Sequence, residues 1–242
     1  MYTRHRRYSV KRIAMSAVNN WIQQTVKDKK FADLGGLWGL VNEKVSVAHK
    51  AGASECSMWD QMCPEHGCWL EYRDRLINLG IPTQKEKTFD IMDSQHVKGT
   101  SPVNVLHCSG VIYHIPNYFE FMVNIEKMTT EYLILGSTTI PDHFGMLPQW
   151  GLSDFQRSEL KRHFQHLGQL TPGLLSVVQP SPICEDVKNY TPWWWFFTKE
   201  YLYNLLVDFG WNVLDCQETW EDRAHSFLCV KRSLKTTTVG GI

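Results

Sequence analysis

The sequence predicts a doubly wound α/β domain: a mostly parallel seven-stranded sheet with an antiparallel edge strand, plus an N-terminal helix and an insertion before the last helix. Three observations predict it. Strand-like and helix-like stretches alternate from residue 30 onward, the pattern of strands joined by right-handed helical crossovers. A glycine-rich turn, Gly35-Gly36-Leu37-Trp38-Gly39, separates the first strand from the first helix of that alternation. Residues 132–139 form a run that suits a strand buried on both faces of a parallel sheet.

The elements follow in order within one domain spanning 1–242. Residues 1–28 read as helical, with Ile13, Ala17 and Trp21 at helical spacing. A short strand at 30–34 leads into the glycine turn, and 40–50 reads as a helix that stops near Gly52. Residues 55–59 are the second strand, ending at Asp60. Pro64 opens a helix to Leu79, with Trp69, Tyr72, Leu76 and Leu79 on one face and Gly80 as its stop. Strands are expected at 88–92, 103–108 and 132–139, with a helix at 117–128. The segment 141–197 is proline-rich, with a charged helix expected at 153–167, and is read as an insertion on the substrate side. A helix at 198–209, ended by Gly210, precedes closing strands at 211–219 and 224–231.

Lys plus Arg equals Asp plus Glu, 25 each, so overall charge gives no argument for nucleic acid or an anionic membrane as partner. The seven cysteines are an odd, unframed set, which argues against a disulfide scaffold and for a reducing, cytoplasmic location. No stretch reaches eighteen consecutive apolar residues, so no membrane span is expected. The basic residues Arg4, Arg6, Arg7, Lys11 and Arg12 lack a following apolar run and read as a solvated helical face, not a signal peptide.

The glycine turn carries the chemistry. In a doubly wound sheet, ligands bind at the carboxyl ends of the strands, where glycines let the backbone approach closely. A pyrophosphate site would use G-x-G-x-x-G, a spacing absent here. Instead Asp33 stands two residues before the first glycine, where its charge would repel a pyrophosphate. An acid there suits a ligand with an ammonium group and no phosphate, such as S-adenosylmethionine (SAM). Asp60 follows Gly39 by 21 residues, at the end of the second strand, where a carboxylate can accept hydrogen bonds from both ribose hydroxyls.

The run Asp33-Leu34-Gly35-Gly36-Leu37-Trp38-Gly39 resembles motif I of the class I SAM-dependent methyltransferases, and Asp60 falls at that family's ribose-binding acid. Asp90-Ile91-Met92-Asp93 is similar to the adenine-contacting stretch. His107-Cys108-Ser109-Gly110-Val111-Ile112-Tyr113-His114-Ile115-Pro116-Asn117 resembles the fourth-strand motif HCSGVxYHxPN of one subset of the family. The resemblance covers roughly 30–140 well and 193–231 more loosely. Two positions depart from it: Leu37 replaces the second motif I glycine, and Asn104 replaces the fourth-strand acid.

The resemblance implies SAM as methyl donor, with S-adenosylhomocysteine (SAH) as product. It implies that Gly35, Gly36 and Leu37 run along the methionine part, with Gly39 completing the turn. Asp33 would order the loop or meet the ammonium through water. Asp60, with Gln61 beside it, would take the ribose. Asp90 and Ile91 would meet adenine, and His107 and Cys108 would border the sulfonium. Tyr113 and His114 would face the acceptor, His114 as a base or orienting group. Each has a structural rival: Asp33 and Asp60 as turn or cap residues, His107 as a packed strand residue, His114 as part of a turn.

Two further runs stand out. Cys63-Pro64-Glu65-His66-Gly67-Cys68 has metal-ligand types but no second pair, so no metal is expected and the run reads as a helix start. In Thr191-Pro192-Trp193-Trp194-Trp195-Phe196-Phe197, successive rings on an extended chain point opposite ways. Trp193 and Trp194 are read as an aromatic wall for the acceptor, against a rival reading as packing of the insertion. The expected function is methyl transfer to a small molecule or glycoconjugate. The alternatives are methylation of RNA, using the basic N-terminus and the Trp run, or a SAM-binding partner subunit without turnover.

Overall fold

The structure, a computed structural model, describes residues 12–140, 174–178, 193–220 and 224–232. The helix expected at 153–167 lies outside these, as does most of the 141–197 insertion. Strands β1 (Lys30–Leu34), β2 (Glu55–Asp60), β3 (Lys85–Thr88), β4 (Val103–Ser109) and β5 (Thr129–Ile140) pair parallel in the order β3-β2-β1-β4-β5. Beyond β5 lie β9 (Ala224–Lys231) and then β8 (Trp211–Thr219), giving the expected seven strands.

The antiparallel strand belongs to the closing strand pair, as expected. It is β9, one position in from the edge, pairing antiparallel with both β5 and β8. The reason is the short connection between β8 and β9: a tight hairpin can only return antiparallel, and β9 slots into the remaining place beside β5. Two strands add to the seven. β6 (Leu174–Val178) and β7 (Trp193–Thr198) form an antiparallel ribbon, and β7 extends β5 in parallel through Thr139–Phe197 and Ile140–Thr198.

Alternation along the strands divides the core between the two sheet faces. Phe31, Val105, Ile134 and Leu228 face one layer, built from α1 (Arg12–Thr25), α2 (Val45–Lys50) and α3 (Gly67–Asn78). Ala32, Leu106, Leu133, Leu135 and Phe227 face the other, built from α5 (Tyr118–Met128) and α6 (Lys199–Asp208). On α1, Val18, Trp21 and Ile22 are buried at helical spacing, and the Trp21 indole donates to Asp215 Oδ2 at 3.1 Å, tying the helix to β8. On α3, Trp69, Tyr72 and Leu76 form a buried stripe as read from the sequence, whereas Leu79, read with them, lies just past the helix end and is exposed.

Local signals set the element ends. His66, not Pro64, caps α3, its Nδ1 accepting from the Cys68 amide at 3.3 Å. Asn117 and Glu120 cap α5 reciprocally, the Glu120 amide donating to Asn117 Oδ1 at 3.2 Å and the Asn117 amide group to Glu120 Oε2 at 3.0 Å. The helix expected at 40–50 is split into a 3-10 turn, Gly36–Asn42, and α2. The third strand lies at Lys85–Thr88 rather than 88–92. It is an edge strand whose charged residues form ion pairs, Arg73–Glu86 at 2.5 Å and Lys85–Glu55 at 2.6 Å, while Phe89 and Ile91 turn into the core just after it. A short helix, α4 (Ser94–Lys98), capped by Asp93, follows.

Candidate functional site

The carboxyl ends of β1, β2 and β4 converge on the 3-10 turn. Asp33 is the hub of this edge. It sits on β1 beside His107 of β4, on the sheet face that carries α1 to α3. Its Oδ1 accepts from His107 Nδ1 at 2.7 Å, and its Oδ2 accepts from the Lys44 amide at 2.8 Å. Both side chains are buried, Asp33 at 1% and His107 at 5% exposure. Asp33 therefore orders the loop directly, and His107 faces Asp33 within the fold.

Two glycines fit where side chains would not. Gly35 takes a left-handed conformation, φ 78, and its amide donates to Trp59 O at 2.8 Å, linking the turn to β2. A Cβ on Gly36 would lie 2.5 Å from Asp33 Oδ2 and 2.8 Å from Met58 Cε. Both glycines remain partly exposed, so the edge keeps bare backbone within reach of a ligand. Leu37 behaves differently. Its side chain is buried among Val45, Met58 and Trp69, and its amide turns inward to Asp60. This explains why leucine is accommodated at that motif I position. Gly39 lies within the same 3-10 turn.

Asp60 ends β2 at 2% exposure, accepting from the Leu37 amide at 3.3 Å and the Met62 amide at 3.1 Å. Burial pushes its carboxyl up to about 6, against the pull of the Met62 and Leu37 amides. Because the folded value lies above the unfolded one, the folded state takes up a proton first, and stability from this group rises as pH falls through about 6 toward 4. Unfolding in denaturant at pH 5 and pH 8 is expected to show wild type gaining about 1 kcal/mol at the lower pH relative to Asp60→Ala. An identical pH dependence in the two proteins would contradict this. Gln61 is exposed beside Asp60.

Past β3, Asp90 is half-buried and builds its own turn, Oδ1 accepting from the Met92 amide at 2.8 Å while its amide donates to His96 Nδ1 at 3.1 Å. Ile91 points into the core, and its carbonyl accepts from the Asn124 side chain at 2.8 Å. Cys108 is wholly buried and its thiol is pushed well above the ordinary range by burial, so it stays neutral. Any ligand contact from Ile91 or Cys108 would come through backbone.

The residues expected to face the acceptor lie on the turn after β4. Gly110 has φ 83, and a Cβ there would lie 3.4 Å from the Trp220 ring and 3.8 Å from the Tyr113 hydroxyl. Tyr113 is buried, and the half-buried His114 ring lies 4.1 Å from it, centroid to centroid. Trp220, at the end of β8, is a neighbour the sequence reading missed. Its position depends on how β8 lies across the sheet, and its φ of 54 is left-handed. The aromatic run divides. The Trp195 indole donates to Ile115 O at 2.8 Å and Phe197 packs edge-on to Tyr118, so these two serve packing. Trp193 and Trp194 lie on β7 opposite Val178 and Val177, and their side chains fall outside the described residues.

Asn104 lies at the opposite end of β4, accepting from the Lys30 amide at 3.0 Å and donating to Glu131 at 2.7 Å. Its departure from the motif thus touches strand pairing and not the site. Among the described residues no group of three His, Cys, Asp or Glu could hold a metal, and no helix is long and apolar enough to cross a membrane.

No family model matches the chain, and no curated protein matches it. Solved structures do. Magnesium protoporphyrin IX methyltransferase from Synechocystis PCC 6803, with bound SAH, is 14% identical with a TM-score of 0.56, over 90% of this chain and 81% of that one. The Burkholderia thailandensis 1,6-didemethyltoxoflavin-N1-methyltransferase, with its namesake substrate and SAH bound, is 10% identical with a TM-score of 0.58, over 92% and 80%. An O-methyltransferase family protein from the same organism is 12% identical with a TM-score of 0.55, over 90% and 55%. At such identities the likeness is one of fold: the chain has the class I methyltransferase fold.

Proposed function

We propose that this chain is a SAM-dependent methyltransferase acting on a small-molecule acceptor. The observation that carries the reading is the joint placement of Asp33, the open glycine turn and Asp60 on the carboxyl edge of β1 and β2. The residues present suit SAM: backbone bare of side chains at Gly35 and Gly36 for the methionine part, and a carboxylate at Asp60 for the ribose. The 3.3 Å contact from the Leu37 amide is the longer of the two to Asp60, and it is the one a ribose hydroxyl would displace. Asp90 borders the adenine end.

Bound there, SAM supplies a methyl group on a positively charged sulfur, ready for in-line displacement. The chain's own contribution is alignment: the pinned loop fixes one end, and the Gly110–Tyr113–His114 turn borders the path of an incoming acceptor. His114 takes the acceptor's proton where that acceptor carries one to lose. The small-molecule reading is supported by the basic side chains Lys29, Arg73, Lys85 and Lys231, each paired to a carboxylate and so less available to phosphates. It is also in keeping with the porphyrin and toxoflavin named as substrates of the two methyltransferases above.

Incubation with methyl-labelled SAM and a panel of hydroxylated and N-heterocyclic small molecules tests the reading. Label transfer to at least one compound, reduced about 100-fold or more in His114→Ala, is expected. Cofactor binding should also weaken several-fold between pH 7.5 and pH 5, as Asp60 gains its proton. Transfer only to RNA would replace the small-molecule reading.

A further inference from the structure

We propose that Lys44 is the binding group for the carboxylate at the amino-acid end of the cofactor; the proposal rests on the SAM reading above. Lys44 is 7% exposed, and lysines are rarely this buried unless paired. Its ammonium has no hydrogen-bond or ion-pair partner among the described residues. The carboxylates around it are committed elsewhere. Glu43 accepts from Arg75 Nε at 3.1 Å and from the Ser46 amide at 2.9 Å. Asp33 is taken by His107 and by the backbone amide of Lys44 itself.

Burial accordingly outweighs the attraction of Asp33 and Glu43 and lowers the Lys44 ammonium from its ordinary value. A largely buried lysine whose ammonium has no carboxylate of its own describes a place for an anion.

The location agrees. The Lys44 amide holds Asp33 Oδ2, the oxygen that lies 2.5 Å below the Cβ position of Gly36. Lys44 therefore adjoins the turn along which the methionine part would run. Lys44 beside it then meets the carboxylate, while Asp33 beneath the turn, its two oxygens already held, lends the ligand's ammonium only its charge.

Titration of wild type, Lys44→Met and Lys44→Arg with SAM and with decarboxylated SAM, which lacks only the carboxylate, tests the assignment. Wild type is expected to prefer SAM about 30-fold or more. Lys44→Met should bind both compounds alike, at the affinity wild type has for the decarboxylated one, and Lys44→Arg should regain part of the preference. A preference that persists in Lys44→Met, or an equal loss for both compounds, overturns the role of Lys44 and leaves the cofactor reading standing. Failure of wild type to bind either compound overturns both.

Discussion

Replacing Gly36 by alanine is expected to weaken cofactor binding about 100-fold and to destabilise the fold by about 1–3 kcal/mol, the usual cost of overpacking a filled site. The new methyl group would arrive 2.5 Å from Asp33 Oδ2 and 2.8 Å from Met58 Cε. Asp33 has nowhere to retreat, since its oxygens are held at 2.7 Å by His107 and at 2.8 Å by the Lys44 amide. The loop must move instead, and it carries the Leu37 amide that reaches Asp60. Gly67→Ala is the control, because nothing lies within 4 Å of a Cβ there. Its stability should stay within about 0.5 kcal/mol of wild type. Thermal unfolding and SAH titration of the two variants check both halves, and a Gly36→Ala protein that binds like wild type would mean that the turn does not contact the ligand.

His107→Ala is expected to cost about 3 kcal/mol of stability, because it strips one of two donors from a buried carboxylate. The loss should be shared with Asp33. In a double-mutant cycle with Asp33→Asn, the two single losses should exceed the double loss by about 1–3 kcal/mol, the range for residues in direct contact. Denaturant unfolding measures it. Simple additivity would mean that the two side chains do not depend on each other. Because Asp33 also fixes the Lys44 amide, the His107→Ala protein should bind SAH more weakly even under conditions where it remains folded.

These two sites mark where the sequence was legible and where it was not. The glycine turn and its two acids could be read directly, because a turn between a strand and a helix is a local pattern with fixed residue needs. The buried stripe Trp69, Tyr72 and Leu76 was legible for the same reason. The Asp33–His107 pair was not, since the two residues meet only through the β1–β4 register, which no local spacing encodes. His107 read either as a neighbour of the sulfonium or as a packed strand residue, and its bond to Asp33 was not foreseen. The third strand was misplaced because its residues, Lys85 to Thr88, carry charge and polarity suited to an edge, while apolar Phe89 and Ile91 after it imitate a buried strand. The place of β9 followed from hairpin geometry and from the one gap left beside β5. Lys44 was hidden too, since only the fold reveals that its neighbours' carboxylates are already engaged.

Calorimetric titration of the purified protein with SAM and SAH, beside Asp60→Ala, tests the central claim most directly. Single-site binding of both ligands at about micromolar affinity is predicted, weakened in Asp60→Ala by about 2 kcal/mol, roughly 30-fold, the scale of hydrogen bonds lost to a charged acceptor. Absence of binding in wild type, or binding that Asp60→Ala leaves unchanged, would contradict it.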